Sequence, residues 1–457
     1  MFEDLRGFLN CLEEEGELIR IKEELSPQYE IPAAISYTSR HKGLAILFDK
    51  VKGYKCPVVG NLLGSQKRLA MAFGVSEKNL LDTYRQAREN LMKPKIATHE
   101  PVKEVIIERD IDLIKTIPVL THFARDGGPY MTAAFIVAKD PLTGIRGMGV
   151  HRIQIKDKDT VGIFIANPPL SHFLTKAEEK NRPLEIAIVS GTDPLTFLAS
   201  IVFAPEGMDK FDIAGGFRKA PVELTNCQTV NLQVPTRAEF VLEGYIIPHL
   251  REPEGPFGES RGYYFSFDSP VAKIKTITHR HDPIYHALMP FGTEEIGPIS
   301  RLLSSDRLSL LREEFPQIKN IHYRGIGAMA IVELDKKAEA DPTQVIEHLL
   351  GSQPYLKWVV VTDTDVDIFN PEEVDWALTT RVSLDKDIII KNDMPGTLID
   401  PLAKGKERIA GLSTLIGRTS KIGINATKPL DQRERFEKVG VPAGINEKVL
   451  TLLKNIL

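Results

Sequence analysis

The spacing of apolar and polar residues over the first hundred positions predicts a small mixed domain. Apolar residues recur at helical spacing over residues 2–12, and Gly16 ends that segment, which predicts an amphipathic helix. The other predicted elements are a strand at 16–21, a helix near 31–40, strands at 44–48 and 58–60, and a helical stretch at 65–92. Together they indicate an α+β domain over residues 1–103.

Residues 104–298 carry short β-rich runs separated by glycine and proline. This texture predicts a barrel or a sandwich, with one helical interruption at 171–181. The predicted strands lie at 131–140, 151–157, 160–166, 185–191, 229–235, 239–246, 271–279 and 283–290. We therefore expect a second, mainly β domain in the middle of the chain.

From residue 299 to residue 457 helices and strands alternate again. The predicted helices lie at 302–314, 342–350 and 371–380, and the predicted strands at 328–334, 357–363 and 386–391. A last amphipathic helix is predicted at 446–457. Alternation of this kind is typical of a partly parallel sheet covered by helices, so we expect an α/β domain at this end.

Composition narrows the class of protein. A chain of 457 residues is too long for one ordinary core, and 42% hydrophobic with 26% charged residues is typical of globular proteins. The 58 basic and 62 acidic residues are interspersed and give a net charge of -4, which argues against nucleic acid as a partner. The expected partner is a small molecule or another protein chain.

Cysteine usage and the apolar runs predict the compartment. Cys11, Cys56 and Cys227 lie far apart, which favours a reducing cytoplasm over a disulfide framework. The acidic, amphipathic start lacks the pattern of a signal peptide, and no apolar run reaches the roughly 18 residues of a membrane span. We therefore expect a cytoplasmic protein without a membrane span.

Two short motifs imitate ligand sites. Residues 324–329, with Gly325 and Gly327, resemble part of a dinucleotide-binding fingerprint, but a predicted strand follows them where a helix is needed. We interpret that motif as a turn. His279 and His281 have the spacing of a metal-binding pair, but no third ligand stands near them in the sequence, so a polar strand end is favoured.

The segment EGPFGE brings two carboxylates close together in the chain. Glu254 and Glu259 flank Gly-Pro-Phe-Gly, which predicts a sharp loop because two glycines and a proline disfavour a helix. Such a loop can turn both carboxylates toward one cavity, where their repulsion holds a proton near neutrality, as a general acid requires. On spacing alone, a solvated acidic loop remains the alternative.

Ten segments, in order along the chain, carry a resemblance to a known family. They are DLRGFLNCLEEEGELIRI (4–21), DGGPYMTAA (126–134), HRIQI (151–155), APEG (204–207), VLEGYIIP (241–248), EGPFGESRGYY (254–264), HRHDPIY (279–285), KWVVVTDTDVD (357–367), DWALTTRV (375–382) and KIGINATKP (421–429). Together they resemble the UbiD family, the prenylated-FMN-dependent decarboxylases. The resemblance implies a flavin-binding split β-barrel at 104–298, flanked by the α+β domain and by an α/β oligomerisation domain at 299–457.

The resemblance also implies a catalytic network of one arginine and two acids. The matching positions here are Arg152, Glu254 and Glu259. In the family the modified flavin adds to an acid that is conjugated with an alkene or arene, CO2 leaves, and a carboxylic acid protonates the carbon. Glu259 is the expected proton donor, while Arg152 and Glu254 are expected to position it and to contact the substrate carboxylate.

Further positions are implied as contacts of the flavin. Lys357 matches a lysine that contacts the cofactor, Thr132 a threonine near its phosphate, and Pro205 a turn whose backbone lines the ring. Arg152 belongs to this set as well. Each of these residues alone is equally compatible with a structural role, and it is their common order along the chain that supports the assignment.

The family's metal site is altered in this chain. Relatives hold the flavin phosphate through a divalent metal, usually Mn2+, with K+ beside it, and use an asparagine, a histidine and a glutamate. The first and third of these positions are Gly147 and Lys210, and His172 lies beyond the usual histidine position. Because glycine and lysine are poor ligands for a hard cation, metal binding stays open. We hypothesise that the Lys210 ammonium neutralises the phosphate directly, with an exposed loop lysine as the alternative.

Three functions remain open. The first is a reversible, non-oxidative decarboxylase of an aromatic or α,β-unsaturated acid, and the second is the decarboxylation of anhydromevalonate phosphate known from archaeal relatives. The third is a non-catalytic subunit of a multi-subunit carboxylase. Arg261, close to Glu259, could recognise a second anionic group on the substrate.

The expected partners are the acid, a flavin prenyltransferase that supplies the cofactor, and further copies of the chain in a homodimer or larger assembly. Isolated protein can carry unprenylated FMN.

Overall fold

The computed structural model describes residues 2–41, 43–205, 207–290, 292–324, 327–408, 415–439, 441 and 443–454. The chain divides into two compact units. The first consists of Met1–Leu310 with Pro395–Thr419, and the second of Leu311–Met394 with Ser420–Leu457. The first unit thus includes both the predicted N-terminal and central domains, and the boundaries at 103 and 298 stay predictions. Within the described ranges, every helix is too short or too polar to cross a lipid bilayer.

The N-terminal elements follow the predicted order. They are α1 (Leu5–Glu14), β1 (Leu18–Leu25), α2 (Glu30–His41), β2 (Ala45–Val51), β3 (Val58–Gly60), α3 (Gln66–Phe73), α4 (Leu80–Glu89), β4 (Lys95–Ile96), β5 (Val105–Ile107) and α5 (Leu113–Thr116). Helix α1 begins where the Asp4 carboxylate accepts the Gly7 amide at 2.9 Å, and its apolar stripe is buried. The predicted helical stretch at 65–92 is two helices, because Gly74 adopts a left-handed conformation (φ 67°) that ends α3.

The central elements form one large, open sheet. They are β6 (Tyr130–Met131), β7 (Ala134–Lys139), β8 (Arg146–Val150), β9 (Ile153–Ile155), β10 (Thr160–Ile163), α6 (Leu170–Glu179), β11 (Leu184–Ser190), α7 (Pro194–Ile201), α8 (Lys210–Arg218), β12 (Glu223–Asn226), β13 (Gln233–Pro235), β14 (Phe240–Gly258), β15 (Tyr264–His279) and β16 (Tyr285–Ala287). The strand order is β6-β9-β10-β15-β14-β11-β7-β8, with β5 paired to β15, and the sheet does not close into a ring.

Both faces of this sheet are buried at its centre. In β11, Ile188 pairs with Ile136 of β7 and with Leu242 of β14, and all three side chains point into one core. The adjacent residues Val189 and Val241 point into a second core on the opposite face. Burial on both faces explains why these strands read as continuous apolar runs rather than as alternating ones.

Two strands that the sequence placed in the barrel belong to other sheets. β16 pairs with β3 in parallel and completes a four-stranded sheet of order β1-β2-β3-β16. β13 pairs with β12, which continues to β4 in a three-stranded sheet. Residue spacing identifies a strand but not its partner, which is why these two assignments to the barrel were wrong.

The remaining elements confirm the predicted α/β pattern. They are α9 (Thr293–Ile296), α10 (Pro298–Glu314), β17 (Ile318–Arg324), β18 (Met329–Leu334), α11 (Asp341–Ser352), β19 (Trp358–Asp363), α12 (Pro371–Arg381), β20 (Ile388–Thr397), β21 (Lys404–Arg408), β22 (Leu415–Ala426) and α13 (Ala443–Lys454). Strands β18, β19 and β22 are parallel neighbours in a sheet of order β17-β18-β19-β22-β20. Gly325 lies outside the described residues, but β18 does follow the RGIGAM motif, as the interpretation as a turn requires.

A buried arginine binds two aspartates in the second unit. The Arg381 guanidinium, whose side chain is inaccessible, donates to both carboxylate oxygens of Asp365 at 2.9 and 2.8 Å and to Asp363 at 2.9 Å. Lys428 donates to Asp365 at 2.9 Å. Burial alone would raise the pKa of Asp365, but hydrogen bonds from Arg381 and Lys428 outweigh it and lower that pKa to about 2.

The stability of the second unit should therefore depend on Asp365 at acid pH. Its folded pKa lies below the unfolded value of about 3.9, so its contribution is present above pH ~4 and is lost as the pH falls toward 2. We expect Asp365→Asn to reduce the pH dependence of the unfolding free energy in this window by about one proton. Both tryptophans, Trp358 and Trp376, lie in the second unit, so urea unfolding monitored by tryptophan fluorescence measures the effect.

The control for this experiment is Asp375→Asn, an exposed acid on α12. That variant should keep the wild-type pH dependence. An Asp365→Asn protein whose stability still falls as steeply as that of the wild type between pH 4 and 2 would contradict the assignment.

Candidate active site

The structure brings the three predicted catalytic residues together. Arg152 stands directly before β9, Glu254 lies on β14, and Glu259 follows the end of β14. Arg152 donates from Nε to Glu254 Oε1 at 3.0 Å and from Nη2 to Glu254 Oε2 at 2.7 Å, while Nη1 donates to Glu259 Oε1. The guanidinium thus bridges both carboxylates, and the alternative of a solvated acidic loop is wrong.

A strand irregularity explains how two acids five residues apart reach one arginine. In a regular strand such a separation places side chains on opposite faces. Here Glu254 pairs with Phe267 but Phe257 pairs with Phe265, so β14 uses one residue more than β15 between these pairs. This β-bulge shifts the following side chains by one position, so that Glu259 lies on the side of Glu254.

The predicted sharp loop at Gly-Pro-Phe-Gly is therefore a bulged strand. Gly255 adopts φ 112°, a conformation that other residues rarely take, and a Cβ on it would lie 2.7 Å from the Phe265 carbonyl oxygen. A Cβ on Gly258 would lie 2.3 Å from the Phe123 ring. The glycines serve close packing inside a hairpin rather than a free turn, which the residue types alone do not distinguish.

The two carboxylates differ in accessibility. Glu254 is 0% exposed and uses both oxygens to accept from Arg152. The Glu259 side chain is 15% exposed, and its second oxygen faces the Ser260 amide at 3.2 Å. Glu259 is therefore the carboxyl that can exchange a proton with solvent, whereas Glu254 is a fixed partner of the arginine.

Aromatic rings enclose the Arg152 guanidinium. Its central carbon lies 4.5 Å from the ring centroid of Phe164, 5.1 Å from that of Phe257 and 5.4 Å from that of Phe267. Burial opposes the charged form of Arg152, but the charges of Glu254 and Glu259 outweigh it and raise the pKa of the guanidinium. The site therefore holds a permanent cation in a largely dry environment.

Three neighbours of the site escaped the sequence analysis. Asp126 accepts the backbone amides of Phe123 at 2.9 Å and Gly258 at 3.0 Å, and Gln154 accepts the Gly255 amide at 3.3 Å. Both hold the hairpin in place. Tyr130 is fully buried beside them. Asp126 and Tyr130 belong to DGGPY, a segment used only to support the resemblance, and nothing in residue spacing connects it to Glu254.

Thr132 lies in a buried hydrogen-bond network. Its hydroxyl donates to the Leu288 carbonyl at 2.7 Å and lies 3.5 Å from His122 Nε2. Burial lowers the pKa of His122 to about 3, so this imidazole is neutral. The predicted contact of Thr132 with a cofactor phosphate stays a prediction.

Lys210 is not an exposed loop lysine. It is the first residue of α8, is 6% exposed, and donates from Nζ to the Ser200 carbonyl at 2.9 Å. Burial lowers its pKa to about 8. His151 is buried too, and burial together with the Lys210 charge lowers its pKa to about 4. Among the described residues, His151 Nε2 has no hydrogen-bond partner.

The orphaned imidazole nitrogen of His151, the residue before Arg152, and the buried Lys210 ammonium act on each other through charge. An anion beside Lys210 would meet its positive charge at the first turn of α8, where the Asp209 cap and Asp212 are already paired with Arg146 and Lys93. The positive charge of the buried Lys210 is compatible with the phosphate group of a flavin mononucleotide.

Pro205 and Lys357 are the remaining predicted contacts of the flavin. Pro205 lines a cavity of about 720 Å³ together with Arg146, Met208 and Asp209, and the described lining residues do not include the Arg152 cluster. Lys357 belongs to the second unit, directly before β19, where its amide donates to the Ala328 carbonyl at 2.7 Å. The cofactor roles of both residues stay predictions.

Family models match most of the chain in three consecutive blocks. Residues 9–88 match the N-terminal domain of 3-octaprenyl-4-hydroxybenzoate carboxy-lyase, residues 95–293 its Rift-related domain, and residues 299–426 its C-terminal domain. The chain belongs to the UbiD family. It is accordingly a UbiD-family decarboxylase, a carboxy-lyase, as the resemblance implied.

Individual relatives match over almost the full length. Anhydromevalonate phosphate decarboxylase from Methanothermobacter thermautotrophicus is 32% identical over 95% of this chain and 99% of its own. Phenolic acid decarboxylase from Sedimentibacter hydroxybenzoicus is 35% identical over 100% and 99%. Among solved structures, the UbiD-class enzyme HmfF from Pelotomaculum thermopropionicum in complex with FMN is 38% identical, has a TM-score of 0.86 and covers 96% and 97%. The mixed α+β and α/β fold class is thereby confirmed.

The metal positions of this UbiD-family chain do not fit a divalent cation. A Cβ on Gly147 would lie 2.5 Å from Pro169 Cγ and 2.7 Å from the Phe173 ring, so packing closes that position. Lys210 offers an ammonium, which repels a cation. Across the described residues, no three His, Cys, Asp or Glu side chains are grouped to hold a metal ion, and His279 simply ends β15.

We expect Arg152→Met to destabilise the first unit strongly. Removing the guanidinium leaves Glu254 as a buried charge without a partner, which costs about 3–5 kcal/mol. Urea unfolding monitored by circular dichroism measures the loss. Adding Glu254→Gln should restore a large part of it, whereas equal instability of the single and double variants would contradict this account.

Proposed function

We propose that this chain is a non-oxidative, reversible decarboxylase of an aromatic or α,β-unsaturated carboxylic acid that uses prenylated FMN. The carrying observation is the buried Arg152 guanidinium that bridges Glu254 and Glu259. Such a cluster is expensive to bury, and a purely structural subunit has no need of it. Supporting evidence comes from HmfF, for which complexes with FMN and, in an evolved dimeric form, with prFMN are known.

The three side chains divide the chemistry between them. When bound, prenylated FMN supplies an electron sink for the carbon that loses its carboxylate. Arg152 orients the substrate carboxylate by charge, and Glu254 fixes Arg152. As CO2 leaves, Glu259 donates its proton to that carbon and then recovers a proton from solvent through its exposed edge. The reverse order of these steps gives carboxylation.

The surroundings of the site assist by excluding water. Phe164, Phe257 and Phe267 cover the guanidinium, so its charge acts in a medium of low dielectric constant. Electrostatic stabilisation is stronger there than in water. The same rings offer flat apolar surfaces for a conjugated substrate.

The remaining predicted residues are proposed to contact the cofactor. Thr132 and Lys210 would hold its phosphate, and Pro205 and Lys357 would line its ring system. The support for Lys210 is its burial beside the orphaned His151 imidazole. We further propose a cytoplasmic location and a flavin prenyltransferase as supplier of the cofactor.

The chain is also proposed to form homo-oligomers through α13. Five apolar side chains of this helix are exposed in the single chain: Ile445, Val449, Leu450, Leu452 and Leu453. An amphipathic helix that leaves such a stripe in water gains by packing against a second copy. The evolved dimeric form of HmfF supports the association of the chain with further copies of itself.

A second candidate substrate is anhydromevalonate phosphate. The relatives with this activity in Methanothermobacter thermautotrophicus and Methanosarcina mazei are 32% and 34% identical over 95% and 96% of the chain. Arg261, two residues after Glu259, would then meet the phosphate of the substrate.

We expect Glu259→Gln to lower turnover by about 10²- to 10⁴-fold, because the general acid is lost. The assay measures CO2 release by protein co-expressed with a flavin prenyltransferase, from vanillate, other phenolic acids and anhydromevalonate phosphate. Glu252→Gln is the matched control, since Glu252 lies on the same strand but pairs with Lys156 at the surface. It should retain full activity.

The substrate panel also separates the alternatives. Turnover of anhydromevalonate phosphate alone would replace the aromatic acid as substrate class. A protein that binds no flavin and releases no CO2 would instead be the non-catalytic subunit, and the proposal would be wrong.

We expect FMN binding to be independent of divalent metal and to require Lys210. Because burial lowers the pKa of this lysine to about 8, binding above that pH must take up a proton, and affinity should fall as the pH rises further. Flavin fluorescence quenching with and without EDTA, together with metal analysis, measures both effects. Lys210→Ala should weaken binding by at least tenfold.

The control is Lys421→Ala, which removes another buried lysine whose pKa burial lowers to about 8. Lys421 donates to backbone carbonyls of the second unit, so its loss should leave FMN affinity unchanged. One equivalent of divalent metal per flavin, removed by EDTA with loss of binding, would show that Lys210 does not replace the metal.

A further inference from the structure

A buried tyrosine beside the Arg152 cluster has no part in the chemistry described so far. Tyr130 lies on β6, opposite Gln154 of β9, and is 0% exposed. Its ring centroid is 4.3 Å from that of Phe257, the same ring that lies 5.1 Å from the Arg152 guanidinium. Tyr130 therefore forms part of the wall around the cluster.

The hydroxyl of Tyr130 is a buried hydrogen-bond donor that needs an acceptor. In the part of the chain that the structure describes, it makes no hydrogen bond of standard geometry, but the Glu254 carboxylate is near enough to act as its acceptor. Burial and, second, the negative charge of Glu254 raise the pKa of the phenol well above its usual range, so the hydroxyl keeps its proton. A buried donor without a partner is costly, and Glu254 is the anion that acts on it most strongly.

Glu254 has room for a further donor. Its two oxygens accept one hydrogen bond each from Arg152, and a carboxylate offers about four lone-pair positions. Glu259 accepts a hydrogen bond from Nη1 of Arg152 and is partly exposed. A third donor that contacts only Glu254 would increase the difference in hydrogen bonding between the two carboxylates.

We propose that Tyr130 is a positioning residue that acts through Glu254: its hydroxyl donates to the Glu254 carboxylate, holds that group in place against Arg152 and leaves Glu259 as the proton donor. The proton assignment rests on the proposed decarboxylase function, whereas the contact between Tyr130 and Glu254 does not. Two experiments separate these parts.

The first experiment is a double-mutant cycle on the protein without cofactor. Tyr130→Phe, Glu254→Gln and the double variant are compared by urea unfolding of the first unit, monitored by circular dichroism. The contact predicts a non-additivity of about tenfold in the unfolding equilibrium constant. The control pair replaces Tyr130→Phe by Tyr285→Phe.

Tyr285 is a closely matched control. It is 1% exposed, and its hydroxyl also has no partner among the described residues. Burial raises the pKa of this phenol, and the neighbouring charge that acts on it is that of Cys56 rather than of a site carboxylate. Tyr285→Phe and Glu254→Gln should therefore be additive.

The second experiment is the pH profile of turnover on whichever acid the protein decarboxylates. In Tyr130→Phe, the Glu254 carboxylate loses one hydrogen-bond donor and holds Arg152 less firmly. We expect kcat to fall by about tenfold at unchanged KM, with the acidic limb of the profile moved to higher pH. Tyr285→Phe should keep the wild-type profile.

Each result has a definite meaning. An additive Tyr130–Glu254 cycle would overturn the contact, and a rise in KM alone would show that Tyr130 binds substrate instead. If Tyr130→Phe and Tyr285→Phe had equal effects in both experiments, the effects would reflect only the loss of a buried hydroxyl. That result would overturn the proposal. Coupling in a protein that turns over no acid would support the contact and refute the decarboxylase function.

Discussion

The buried ion pair between Arg152 and Glu254 is the constraint on which the rest of the site depends. A guanidinium taken out of water is costly unless both its charge and its hydrogen bonds are met inside the protein. Glu254 meets two of those bonds, and Glu259 a third. This requirement places the start of β9 against the β14–β15 hairpin, and the aromatic rings over the arginine then complete a dry cluster of opposite charges.

The sequence predicts which segments are helices and strands better than it predicts how they pair. Helix α1 follows from its helical periodicity, and β7 and β11 follow from short continuous apolar runs, because both signals are local in the sequence. The partners of β13 and β16 do not, because a strand finds its neighbour through contacts far away in the sequence. The division of the 65–92 stretch depended on one glycine in a left-handed conformation, which periodicity overlooks.

In the candidate site, too, local sequence features were predicted and contacts between distant residues were not. Glu254 and Glu259 are candidate residues from their spacing alone, but their association with Arg152, about a hundred residues earlier in the chain, was implied only by the family resemblance. Tyr130 and His151 were missed because their significance is burial without a hydrogen-bond partner, a property of the folded protein. The resemblance gave Lys210 its position, and the structure shows that this position is buried rather than in an exposed loop.

The bulge between Glu254 and Phe257 has a consequence for how this protein can vary. Side chains of a strand alternate with a period of two, so the insertion or deletion of a single residue between Glu254 and Glu259 would turn the second carboxylate away from the arginine. Substitutions in this segment can weaken the contact with the arginine by different amounts, whereas a change of length by one residue removes it altogether. Among homologous sequences, an alignment gap of odd length at this place therefore marks a protein in which one arginine no longer bridges both acids, even where both acids are still present.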